Sequence, residues 1–260
     1  MENKEKIRSL AENVWAYIAA FLRWGVLGLL VGGLGGFVGA LFAKSVAWAT
    51  AMRGANPWLL YLLPVGGLAI VGVYKLCRVS GVGTNEVFEG VRSNKGVSIL
   101  LAPAIFLCTT ITHLLGGSAG REGAALQIGG GLGWSLGRLF RLDDKDMRLA
   151  TLCGMSALFS ALFGTPLTAT IFALEVISVG VVYYSGLVPC LTAALAAYGV
   201  TRLFDVPPTA FAVAAPGLSA GLLWRVAVLG IACAAMSIVF CVVMHRGEHY
   251  IAKALKNPYL

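Results

Sequence analysis

The sequence predicts an all-α, polytopic membrane protein with broken helices, and three observations carry that reading. Its hydrophobic fraction is 58%, or about 71% with the 33 glycines, against roughly 45–50% for a soluble domain counted the same way. Charged residues make up only 12%, too few to cover a 260-residue globule with solvated side chains. Mean hydropathy is +0.82, and apolar runs close to the ~20 residues that cross a bilayer recur along the chain.

The elements follow in order. Residues 1–22 carry Glu2, Glu5 and Glu12 in an amphipathic helical pattern with no small-residue cleavage site, so they read as a cytoplasmic N-terminal helix rather than a signal peptide. Uncharged stretches then cover 24–43, 54–74, 96–120 and 123–137, with Arg121 and Glu122 between the last two. After a polar loop at 138–148 come 149–174, the single Glu175, 176–201, 206–224 and 226–244. Pro166 and the glycines around Glu122 interrupt their segments. Helices that start or stop inside a membrane are tolerated only where the backbone is buried in protein or lines a polar cavity.

The net charge of +8 does not indicate nucleic acid, because the 20 basic residues are scattered singly between apolar runs. They read as topology instead. With a cytoplasmic N-terminus, the basic residues at 4, 6, 8, 23, 75, 78, 92, 95, 138, 141, 145 and 148 fall inside, against Lys44 and Arg53 outside. Trp15, Trp24, Trp48, Trp58, Trp134 and Trp224 all lie near segment ends, the pattern of an interfacial belt. The six cysteines are widely spaced with no CxxC pair, which argues against a metal site or a disulfide framework, and nothing in the chain calls for a cofactor.

Gly28, Gly32, Gly36 and Ala40 recur every four residues, as do Gly35 and Gly39, and such rows let transmembrane backbones approach closely. A faint repeat is also present. Val26-Leu27-Gly28 matches Val228-Leu229-Gly230, Lys44 meets Arg246, and Asn56-Pro57 meets Asn257-Pro258. If Arg246, Lys253 and Lys256 are cytoplasmic, the two copies run in opposite directions, as in inverted-repeat transporters. Chance likeness between two apolar helices is the alternative. The division expected is 1–22, a first transmembrane repeat over 23–224, and the incomplete opening of a second over 225–260.

Glu122 and Glu175 lie between apolar segments, where an ionisable group is costly unless paired, hydrated or neutralised. Glu122 sits in GGSAGREGAALQIGGG, which begins at Gly116. A glycine-rich turn opening an apolar helix presents free N–H groups and the positive end of the helix dipole, which makes an anion site. A carboxylate there can occupy the site as a tethered anion and vacate it on protonation. The competing reading is a buried Arg121–Glu122 ion pair in a helix-breaking turn. Thr84 and Asn85 suit a helix N-cap, and His113 suits helix packing better than proton relay. Gly217–Gly221 satisfies G-x-S-x-G, but Ser219 has no base nearby in sequence, so the chain is not read as an enzyme.

The GREGAALQ string at Gly120 resembles the GREGP segment of the CLC family of chloride channels and proton-coupled anion antiporters. The likeness continues through Gly154–Leu167 to Phe172-Ala173-Leu174-Glu175, which is similar to the family's FNAPL helix, and Gly83-Thr84-Asn85 lies where the family has its first anion-binding loop. It covers roughly residues 20–260, corresponding to the first inverted half and the opening helix of the second. The resemblance implies that Glu122 is the external gating, proton-carrying glutamate. It implies that Gly120, Arg121, Gly123 and Ala124 form the external anion site, and that Gly83, Thr84 and Asn85 contact the central anion. A homodimer in the cell membrane, moving fluoride or chloride with protons, is implied as well.

The departures sharpen this. Ala124 stands where the chloride branch has proline, the first loop lacks the family's serine and proline, and Val176 stands where chloride/proton antiporters place a proton-relaying glutamate. The combination most resembles the fluoride-transporting branch. Glu175 matches the neighbouring family acid and is a secondary acid, structural or water-contacting. The expected function is fluoride/proton antiport. The alternatives are a chloride channel or chloride/proton antiporter, and a partial domain that scaffolds without transporting.

Overall fold

The computed structural model describes residues 2–79, 87–89, 97–177, 183–209, 217 and 219–254. Gly83, Thr84 and Asn85, and the Asn257-Pro258 end of the repeat, lie outside the described residues. Among the described residues the secondary structure is entirely helical. The long helices are α1 (Glu2–Ala55), α2 (Leu63–Leu76), α3 (Leu101–Leu114), α4 (Glu122–Leu139), α5 (Asp144–Phe163), α6 (Pro166–Glu175), α7 (Leu187–Leu203) and α8 (Ala220–Ala254). Short 3-10 turns at Pro57–Leu62 and Tyr184–Gly186 precede α2 and α7. Among the described residues, five helical stretches are long and apolar enough to cross a membrane: Asn13–Ala55, Pro57–Leu76, Asp144–Phe163, Tyr184–Leu203 and Ala220–Ile251.

The chain divides into two units, Met1–Thr209 and Ala210–Leu260. The first holds α1–α7 around α5, whose small, apolar sequence lets four neighbours approach it. Cβ atoms at Gly35 and Gly39 of α1 would overlap Ala157 and Ala161 of α5. On the other row of α1, Gly28, Gly32 and Gly36 lie against Pro189, Ala193 and Ala197 of α7. Both glycine rows legible in the sequence are therefore helix contacts. Gly129 and Gly133 of α4 press on the backbone of Gly154 and Ala150, so α4 runs antiparallel to α5. Ser156 and Ser160 donate to the carbonyls of Cys190 and Ala194 at 3.1 and 2.8 Å, hydrogen-bonding α5 to α7 without interrupting either helix. Phe159 packs against Phe172 of α6 with the rings tilted and their centres 4.8 Å apart.

Local chemistry sets the ends of α5. Asp143 caps its start by accepting from the Asp146 N–H at 2.8 Å, with Asp144 and Asp146 in the dipole-favoured first turn. Gly164 closes it in the left-handed region at φ 71°, and Pro166 opens α6 at a position where no N–H is needed. The run 149–174 is thus two helices joined by a tight corner.

Several expectations are corrected. α1 continues without a break through residues 22 and 23, so the N-terminal segment is continuous with the apolar stretch that follows it. At 1.5 Å per residue its 54 residues span roughly 80 Å, far more than the ~30 Å hydrocarbon core. The apolar run 206–224 does not make its own helix among the described residues: 206–209 are irregular, and its last residues open α8 at Ala220, ahead of the expected 225. Trp134 is no belt residue. It is buried in α4 at 7% exposure, whereas Trp15, Trp48, Trp58 and Trp224 are exposed. In the second unit, α8 is uncharged on all sides between Val226 and Met244, as suits a helix surrounded by lipid or protein, and carries Arg246, Glu248 and Lys253 in its last turns.

Two neighbouring glycines test the packing account. Leucine at Gly32 meets the α7 backbone, whereas the space around Gly33 is open. Gly32→Leu is expected to destabilise the detergent-solubilised protein by about 1–3 kcal/mol or more, read as a lower thermal midpoint. Gly33→Leu carries the same change in helix propensity and should leave the midpoint unchanged or raise it slightly.

Candidate functional site

The turn between α3 and α4 is built from small residues. α3 ends at Leu114 with Leu115 as its C-cap, and Gly116 takes φ 83°, reversing the chain beside the Arg53 side chain and Leu60. The Gly117 N–H returns to the Thr112 carbonyl at 2.9 Å. α4 then begins at Glu122, with Arg121 in the N-cap position and no side chain capping it. Its first bond of the regular helical ladder runs from the Ala125 N–H to the Arg121 carbonyl at 2.9 Å. The N–H groups of Glu122, Gly123 and Ala124 precede that bond, so they lie at the positive end of the helix dipole outside its ladder.

Glu122 is exposed, and its carboxylate turns back over Gly120, where a Cβ would stand 2.5 Å from Oε2. Glycine at 120 therefore keeps this side-chain position open. Arg121 points elsewhere: its guanidinium carbon lies 5.9 Å from the centre of the Phe163 ring, over the end of α5. No Arg121–Glu122 ion pair is present among the described residues. The ion-pair reading is thereby replaced by a cation–π contact.

Beside this turn, α2, α3 and α4 line an open cleft of about 360 Å³. Tyr74, Cys108, Thr109, Thr112 and Gln127 supply its polar lining, and Gly120, Gly123 and Ala124 bring the start of α4 to its edge. Gln127 is 8% exposed, and its Oε1 has no hydrogen-bond partner among the described residues. Sequence reasoning missed this residue. The available signal was an amide in the apolar first half of α4, one turn beyond Gly123.

The other sequence candidates are placed as follows. Neither Glu122 nor Glu175 is buried in the chain, contrary to the expectation for acids between apolar segments; both are exposed. Nor are they gathered at one point. α6 starts at the corner near Arg121 and carries Glu175 to its far end, about 14 Å along at the helical rise. His113 Nδ1 bonds the Thr109 carbonyl at 2.8 Å, a contact within its own helix. Ser219 accepts from the Leu222 N–H at 3.2 Å and so caps the start of α8, which accounts for the serine of the G-x-S-x-G string.

Charge divides the first unit by its ends. Arg23 pairs with Asp146 at 2.8 Å, which brings Arg23 to the end holding Arg138, Arg141, Lys145 and Arg148. Glu122 starts α4 at the opposite end, where the preceding turn passes Arg53 at Gly116.

Residues 66–260 match the family profile described as voltage gated chloride channel. The chain belongs to this CLC family. A chloride/fluoride channel protein of Pseudomonas syringae pv. tomato is 38% identical over 199 residues, which is 76% of this chain and 43% of that protein. An H+/Cl− exchange transporter of Cronobacter sakazakii is 32% identical over 168 residues, 58% of this chain and 36% of that protein. The chain thus spans less than half the length of these curated relatives. Its fold superposes on the crystal structure of a CLC-type fluoride/proton antiporter with a TM-score of 0.84 at 29% identity, covering 92% of this chain and 61% of the other. A slow cyanobacterial Cl−/H+ antiporter shares the fold at a TM-score of 0.72 and 19% identity, over 89% and 58% of the two chains. The helical CLC architecture read from the sequence is therefore the observed one.

Proposed function

We propose that this CLC chain contributes to a transmembrane pathway for fluoride, moved in exchange for protons, with Glu122 as the protonatable gate. The observation that carries the reading is the uncapped start of α4, where a tethered carboxylate stands over Gly120 at the mouth of a row of free amides. While ionised, Glu122 competes with a mobile anion for the positive end of the helix. Once protonated it loses that attraction and releases the site, so one side chain couples the two movements.

Ala124 favours fluoride over chloride on physical grounds. At the third position of α4 its N–H lies outside the helical ladder, and proline at that position has no N–H at all. Alanine therefore adds a donor for a small, strongly hydrated anion whose water must be replaced by hydrogen bonds. The resemblance to the P. syringae chloride/fluoride channel protein and to the fluoride/proton antiporter supports the same choice. In this reading Gly120, Arg121, Gly123 and Ala124 frame the external site, and Gly83, Thr84 and Asn85 serve the central one. Glu175 is a secondary acid at the far end of α6. The protein lies in the cell membrane as a homodimer with its N-terminus cytoplasmic, because the end holding Arg23 and the 138–148 loop is the basic one. The exchangers among the relatives favour chloride as the second reading.

Two measurements test this. In liposomes, Glu122→Gln should lower proton movement by about 100-fold or more while fluoride flux persists; unchanged coupling removes Glu122 from the mechanism. Fluoride efflux should exceed chloride efflux several-fold, and Ala124→Pro should narrow that gap without unfolding α4. Equal fluxes in the parent protein would select the chloride reading.

A further inference from the structure

At the basic end of the first unit, α4 leaves a second open cleft, of about 510 Å³, against α1 and the stretch leading into α3. Its walls are apolar: Leu34 of α1, Val97 and Ile99 ahead of α3, and Leu132, Leu136 and Leu139 of α4. From Leu132 to Leu139 they run about 10 Å along α4 at the helical rise. That is shorter than the ~15 Å that one leaflet contributes to the hydrocarbon core. Polar groups are few, and the Ser135 hydroxyl donates to the Gly131 carbonyl of its own helix at 2.7 Å. Arg138 supplies the charge in the lining; it is exposed and makes no ion pair with a described residue. The loop beyond adds Arg141 and Lys145, both exposed. Of the acids in that loop, Asp146 is balanced by Arg23 and Asp143 serves the start of α5, which it caps. The exposed cations Arg138, Arg141 and Lys145 therefore outnumber the acid left to oppose them, Asp144.

We infer that this cleft holds an acyl chain of an anionic phospholipid whose phosphate pairs with Arg138. Complementarity of both charge and polarity selects that occupant. The walls suit a chain with no hydrogen-bonding groups, whereas an irregular peptide segment would leave its N–H and C=O groups unmade against them. At the rim, a guanidinium matches a phosphate with two parallel hydrogen bonds. Phosphatidylcholine carries the same phosphate, but it also brings a quaternary ammonium among Arg141 and Lys145; phosphatidylglycerol brings no cation. Cations at the end of a membrane helix attract anionic lipid by about fivefold each. The lipid fills the gap between α1 and the last turns of α4. Arg138 lies 16 residues from Glu122, about 24 Å along the helix, so the inference does not depend on which ion the chain moves.

Trp134 lies on the cleft wall and supplies the reporter. In the full chain with its other five tryptophans replaced by phenylalanine, acyl-brominated phosphatidylglycerol is added as a minor component of phosphatidylcholine vesicles. Its association constant, read from quenching of Trp134, should exceed that of brominated phosphatidylcholine by about fivefold. Arg138→Gln should bring the two lipids level, and Arg53→Gln, at the opposite end, should leave the preference intact. Equal association of both lipids with the parent overturns the inference; so does quenching by neither, since protein then covers the cleft. Native mass spectrometry checks the chain with all its tryptophans in place. Phosphatidylglycerol should stay bound through detergent exchange, about fivefold less in Arg138→Gln, and soluble glycerol 3-phosphate should fail to displace it. Retention unchanged by Arg138→Gln, or displacement by glycerol 3-phosphate, overturns the site.

Discussion

Close approach of helix backbones at small residues is the constraint on which the first unit depends. Inside a membrane, helices gain little from hiding apolar surface, because lipid is as apolar as leucine; dispersion contacts and hydrogen bonds between helices must hold them. α5 meets that demand on several sides. Its glycine and alanines admit α4 and α1, and its serines bond the α7 carbonyls. A leucine at Gly154 would displace α4, and every feature borne by α4 would move with it.

The position of Glu122 follows from that packing. Antiparallel contact along Gly129–Gly154 and Gly133–Ala150 fixes the axis of α4 and brings its start level with the corner at Gly164. Arg121 then rests on Phe163 of α5, which leaves the turn to small residues and the first amides of α4 outside the helical ladder. The dipole gives that point a positive field, and the bundle gives it a fixed place. The same axis directs Gln127 toward α2 and α3. In the proposed mechanism, the anion and the proton are both handled at the helix end, by the Glu122 side chain.

What the sequence disclosed was whatever depends on spacing along one helix. The rows Gly28-Gly32-Gly36 and Gly35-Gly39 are periodic, so their contacts with α7 and α5 could be anticipated, though not which row met which helix. The break before Glu122 and the corner at Gly164-Thr165-Pro166 were legible from their glycines and proline. Burial was not, because it depends on partners distant in sequence. Trp134 lies near a segment end like the other tryptophans, yet α4 turns it into the core. Glu122 and Glu175 lie between apolar runs, yet each falls on a face that the chain leaves exposed. Gln127 was passed over because nothing local separates a buried amide from an ordinary helical glutamine; its burial depends on α2 and α3, which are distant in sequence.

The central claim is that anion and proton share one gate. A liposome experiment with a fluoride gradient and no imposed proton gradient puts that claim to its most direct test. Strict exchange predicts that fluoride running down its gradient drives protons in the opposite direction, building a pH difference that disappears when the fluoride gradient is removed. Fluoride flux that leaves the proton distribution unchanged would contradict the account.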